Sequence, residues 1–113
     1  MDSDVLEYID AIPAERRPLF DRIYRLVLEV HPDAEVVLSY KMPTFVVGRY
    51  RLYVGVWTHW VSFYGWEPGR DAGFAARHPG LANGNGTIKL RPVDAAQIPD
   101  DELRAFLRAT LDG

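Results

Sequence analysis

Asp4, Glu7 and Asp10 repeat every third residue near the start of the chain, with Asp2 just ahead of them. Residues three apart on a helix lie on adjoining faces, so Glu7 and Asp10 can share a face with Asp4 or Asp2 at the capped end. Such a group is a shallow, exposed set of oxygen ligands for a metal, and with no cysteine in the chain thiolate ligands are excluded. The plain alternative is a run of helix-start charges on a solvated surface. The spacing has none of the specificity of an EF-hand or of a His-Glu-x-x-His helix.

A second group is aromatic. Tyr40, Met42, Trp57, Trp60, Tyr64 and Trp66 could line one pocket, and all three tryptophans fall between residues 57 and 66. Exposed, such a patch would take a ligand or a partner; buried, it would be core. The tryptophans are the least readily explained as core, because an indole N–H needs an acceptor when it leaves water. Asn83-Gly84-Asn85-Gly86-Thr87 is glycine-rich but runs into a strand pattern rather than a helix, so it is a turn and not a phosphate-cradling P-loop. Its amides and Thr87 would line a small-anion or metabolite site if the loop folds over Tyr40 and Tyr64.

Other chemistry is weakly encoded. His31, His59 and His78 each stand beside a turn, where histidine serves as a surface or capping group rather than in a three-histidine metal centre. Ser39-Tyr40-Lys41 has no acidic partner and no nucleophile elbow. Arg49, Arg51, Lys89 and Arg91 make at most a modest basic stripe. Thirteen basic against sixteen acidic residues leave a net charge of -3, which argues against nucleic acid and anionic membranes as partners.

These residues need positioning elements, and the hydrophobic period supplies them. Asp4 to Ile12 reads as a short helix ended by Pro13. A stronger helix begins at Ala14 or Arg17, carries Leu19, Phe20, Ile23, Leu26, Val27 and Val30 on one stripe, and stops at His31-Pro32-Asp33. Glu35 to Tyr40 is strand or a single helical turn. Residues 44 to 64 read as an antiparallel meander, with Leu52, Val54 and Val56 on one face of its second strand and Arg51, Tyr53, Gly55 and Trp57 on the other. Asp71 caps a short helix through Phe74, Ala75 and Ala76. Thr87 to Arg91 is a last or edge strand, and Pro99-Asp100-Asp101-Glu102 opens a final helix. The expectation is one α+β domain over residues 1 to 113, an antiparallel sheet of about four to five strands packed against N- and C-terminal helices.

Size agrees with one core. A folded chain of this mass exposes about 6,300 Å² against about 18,700 Å² unfolded, enough burial for one domain. No apolar run reaches the ~20 residues of a membrane span, and Met-Asp-Ser-Asp does not open a signal peptide, so neither membrane insertion nor export is expected.

Ser39-Tyr40-Lys41-Met42-Pro43-Thr44-Phe45 resembles the signature of the YdhG-like family of small bacterial proteins, a domain of unknown function with a frataxin-related fold. The resemblance continues through Val5-Leu6-Glu7-Tyr8-Ile9, His31-Pro32-Asp33-Ala34-Glu35, Phe63-Tyr64 and Gly86-Thr87-Ile88-Lys89-Leu90, nearly the whole chain. It implies helices on an antiparallel sheet, a cytoplasmic location and, for some members, an iron chaperone that hands iron to iron-sulfur cluster or haem biosynthesis proteins. Two departures stand out. The family's Asn-His pair corresponds here to His59-Trp60, and the glycine before Met-Pro is replaced by Lys41. The resemblance implies an iron-binding or iron-delivery protein without enzymatic activity, and the acidic repeat of Asp4, Glu7 and Asp10 is the expected place for the metal. The second reading is a non-enzymatic module that binds a small molecule or partner protein through Tyr40, Met42, Trp57, Trp60, Tyr64 and Thr87. An exposed aromatic face would also suit a homodimer.

Overall fold

The structure, a computed structural model, describes residues 3 to 83 and 87 to 112. Asp2 and the loop glycines Gly84 and Gly86 lie outside the described residues. The order is α1 (Ser3–Asp10), α2 (Arg17–Val30), β1 (Glu35–Ser39), β2 (Met42–Val47), β3 (Tyr50–Val56), β4 (Val61–Tyr64), α3 (Phe74–Arg77), β5 (Ala82–Asn83), β6 (Thr87–Leu90), α4 (Pro92–Ala95) and α5 (Asp100–Leu111). The strands form one sheet in the order β1-β2-β3-β4-β6-β5, and each neighbouring pair is antiparallel. This is the expected α+β arrangement, with a sixth strand only two residues long.

Glu35–Ser39 settles as a strand, because the chain reverses tightly at Tyr40 and Lys41 and brings Leu38 opposite Pro43. Both turn residues have positive φ, 51° and 61°, the backbone of a two-residue hairpin that usually selects Asn-Gly. Pro43 has no N–H to give, and the β2–β3 ladder starts one residue later, at Thr44 opposite Tyr53. Beyond that ladder the Val56 N–H would be stranded; it donates instead to the Tyr8 hydroxyl at 3.0 Å, which fastens α1 to the end of β3.

The core lies between one sheet face and the helices. Phe45 sits opposite Leu52, Val54 opposite Phe63, and Phe63 opposite Ile88, all buried on the same face. The α2 stripe of Leu19, Phe20, Ile23, Leu26 and Val27 is buried against it, as are Leu103, Phe106, Leu107 and Leu111 of α5. Arg22 ties the helical layer together: its Nε donates to Asp100 at 2.7 Å and one terminal nitrogen donates to the Ala95 carbonyl at 2.9 Å. The solvent-accessible area of 6138 Å² matches that expected of a compact chain of this mass.

Two short elements depart from the sequence reading. Pro92 opens α4 rather than merely closing a strand, because the Asp94 carboxylate accepts the Arg91 N–H at 3.0 Å and closes the first turn. Ala82–Asn83 pairs with β6 where a loop is expected. The Asp71 cap is as expected: its carboxylate accepts the N–H groups of Gly73 and Ala75 at 3.2 and 2.8 Å.

Candidate functional site

The face of the sheet turned away from α2 and α5 carries the other half of the alternation. Tyr53 lies between Thr44 and Tyr64, Gly55 beside Ser62, and Ser62 beside Lys89. Strand pleating sends these side chains outward together. Gly55 leaves a hole that Trp57 fills: a Cβ there would lie 2.8 Å from the indole Nε1 and 3.0 Å from the Met42 sulfur. The Trp57 Nε1 donates to the Tyr64 hydroxyl at 3.0 Å, which fixes the ring across the strand. Tyr40, at the β1–β2 turn, places its ring 5.7 Å from that of Tyr53. The Lys89 ammonium sits 4.6 Å from the centre of the Trp60 ring, within cation–π range.

Tyr40, Met42, Trp57, Trp60 and Tyr64 therefore share one layer, as their spacing suggests. Thr87 follows the alternation of Lys89 onto the same face, while the loop that would fold over Tyr40 and Tyr64 lies outside the described residues. Trp66 does not join the layer. Gly65 turns the chain at φ 85°, and Trp66 drops into the core, 7 % exposed, with its ring 5.8 Å from Phe106. Sequence reasoning missed Gly55 as the seat of Trp57; a glycine inside a strand is the signal that points to such close approach.

The layer hides polar groups. Ser62 is fully buried and its hydroxyl has no partner among the described residues; the Trp60 Nε1 is likewise buried without one. Thr44 is buried too, but its hydroxyl donates to the Met42 carbonyl at 3.1 Å. Two aromatic side chains stand out from the surface, Tyr40 at 81 % exposed and Trp57 at 46 %. Burial pushes the Tyr8 phenol up despite the Val56 N–H that it accepts and with a small push from nearby Tyr64, so it stays a neutral hydrogen-bonding group.

The acidic set does not assemble. Asp4, Glu7 and Asp10 are all exposed on α1, and Asp4 accepts the N–H of Val5 at 2.8 Å. Six residues of helix carry Asp4 and Asp10 about 9 Å apart along the axis and about 120° around it, too far to share an ion. Among the described residues no three His, Asp or Glu side chains are grouped to hold a metal. α1 thus does not bring Asp4, Glu7 and Asp10 together as one ligand set, and Asp2 lies outside the described residues.

The histidines and the basic stripe disperse as well. His31 lies 3.3 Å from Asp112, and His78 lies 3.0 Å from Glu102 and packs against Phe74 with centroids 4.6 Å apart and planes tilted by 44°. Burial alone would raise the Glu102 pKa, but hydrogen bonds from Arg77 and His78 hold it below its ordinary value. Arg91 is bound to Asp94 and Arg49 to the Tyr50 hydroxyl, which leaves Arg51 and Lys89 of that stripe on the outer face.

No described helix is long and apolar enough to cross a membrane. Compared with family models, curated proteins and solved structures, the chain finds no match in any of the three.

Proposed function

We propose that this protein is a non-enzymatic binding module that engages a partner protein through the outer face of its sheet. The observation that carries the reading is the exposure of Tyr40 and Trp57 on this layer, with the Trp57 ring held in place across the strand. Small ligands ask for a concave site that encloses them. Projecting aromatic anchors suit a hollow on a partner surface instead, and Trp, Tyr and Met are the residues enriched at such interfaces. Trp57 is already held by Tyr64, Gly55 and Met42, so it loses little freedom on binding. Lys41 at the turn and Arg51 and Lys89 on the strands border the layer, with Glu35 the acid at the matching position of β1, which favours an acidic rim on the partner.

The test is crosslinking and capture with the wild-type chain and with Trp57→Ala and Tyr40→Ala, followed by calorimetry on any protein recovered. A specific partner whose affinity falls at least tenfold in Trp57→Ala, with an unchanged melting transition, supports the module. Equal binding by both variants overturns it. A self-associating chain whose dimer is lost in the same variants makes the partner a second copy. Anaerobic Fe(II) calorimetry, with Asp4→Ala, Glu7→Ala and Asp10→Ala combined, addresses the iron reading implied by the YdhG-like resemblance. Saturable iron binding lost in that triple variant would restore it.

A further inference from the structure

A cleft of about 500 Å³ opens where the α1–α2 connection, the β3–β4 connection and the start of α4 meet; Glu15, Arg16, Thr58, His59 and Pro92 line it. None of the five belongs to the aromatic layer. The neighbouring Arg17 is paired with Asp21 at 2.8 Å. Arg16, by contrast, makes no ion pair among the described residues, and its buried Nε has no hydrogen-bond partner there. Glu15 shares the lining but forms no ion pair with Arg16, so this guanidinium is a charge left open to an anion. The same wall is the start of α2, whose first turn receives no side-chain cap.

We propose that this cleft binds a phosphoryl group. A guanidinium offers a planar fork of donors, the Thr58 hydroxyl adds one and the His59 ring another, more than a carboxylate with two oxygens needs. A phosphoryl group presents three acceptor oxygens and up to two negative charges. Glu15, the acid on the lining, is exposed and therefore screened by water and salt. An adjoining cleft of about 220 Å³ shares Glu15 and Pro92 and continues over Pro18, Leu19, Ala95 and Ala96, an apolar floor for an organic group carrying the phosphate. Arg22 also lines this second cleft, but Asp100 and the Ala95 and Ile98 carbonyls already occupy its guanidinium.

The test is titration of the ¹⁵N-labelled chain with inorganic phosphate and, separately, with phenyl phosphate, at constant ionic strength set with sodium chloride. Saturable shifts at the amides of Arg16, Thr58 and His59 are expected, with Kd raised at least tenfold in Arg16→Gln and lowered a few-fold in Glu15→Gln. Tighter binding of phenyl phosphate identifies an ester as the natural source, and equal binding identifies free phosphate. Shifts that never saturate, that chloride reproduces, or that persist unchanged in Arg16→Gln overturn the site. Should Arg16→Gln fail to keep the wild-type melting transition, Thr58→Val and His59→Gln take its place, and unchanged affinity in both again overturns it.

Discussion

The two faces of the sheet use the same strands to opposite ends. Toward the helices, Leu52, Val54, Phe63 and Ile88 meet apolar side chains, and of the groups packed with them the Trp66 Nε1 is buried without a partner among the described residues. Away from them, rings lie over a polar row in which the Ser62 hydroxyl and Trp60 Nε1 are buried without partners among the described residues. The first face is arranged for burial. The second carries projecting rings that stability alone does not require, and the proposed partner contact rests on them.

The contrast is broken most sharply in the core. Phe106→Ala removes a ring in contact range of Phe63, Trp66 and Phe74, with centroids 5.1 to 5.8 Å away, and should cost about 3–5 kcal/mol in urea unfolding. Ser62→Ala deletes an unpartnered hydroxyl and should leave stability within about 1 kcal/mol, or raise it. Comparable losses from the two would show that the faces do not differ.

Acid should separate the faces next. Hydrogen bonds hold three carboxylates of the helical layer below their ordinary pKa: Arg104 acts first on Glu29, Arg22 on Asp100, and at Glu102 Arg77 and His78 outweigh an opposing effect of burial. A carboxylate with a depressed pKa stabilises the fold above its unfolded value, and that contribution is lost as pH falls through the folded one. The urea midpoint should therefore decline below the ordinary carboxylate range and stay level from there to neutrality. The Trp57–Tyr64 hydrogen bond contains no carboxylate, so the effect on it should be indirect. A midpoint flat down to pH 3 would contradict this assignment.

The smallest effect concerns the turn that presents Tyr40. Lys41 holds φ at 61° without being glycine; Lys41→Gly should stabilise the hairpin by up to about 1 kcal/mol. Destabilisation on that substitution would mean that the lysine side chain makes a contact worth more than the backbone strain.

Much of this was legible in the residues. The alternation of Leu52, Val54 and Val56 against Arg51, Tyr53, Gly55 and Trp57 gives both faces of β3 and places Trp57 outward. Asp71 announces its cap, and the apolar stripe of α2 its buried side. Trp66 was not legible, because strand parity ends at Gly65, where a positive φ reverses the direction in which the next side chain points. Nor was α4, since Pro92 serves equally to end a strand and to begin a helix until Asp94 is seen to bind the Arg91 N–H. The carboxylate spacing misleads for a simpler reason: a repeat of three drifts around a helix, and only neighbours in the series stay close.

The bond from Val56 to the Tyr8 hydroxyl has one more consequence. A backbone amide at the end of a strand would ordinarily exchange its proton with solvent early, but this one is shielded by a side chain from the first helix. Its exchange rate therefore measures how often α1 lifts from the sheet, so that a single amide resonance keeps time for the detachment of the chain's opening segment.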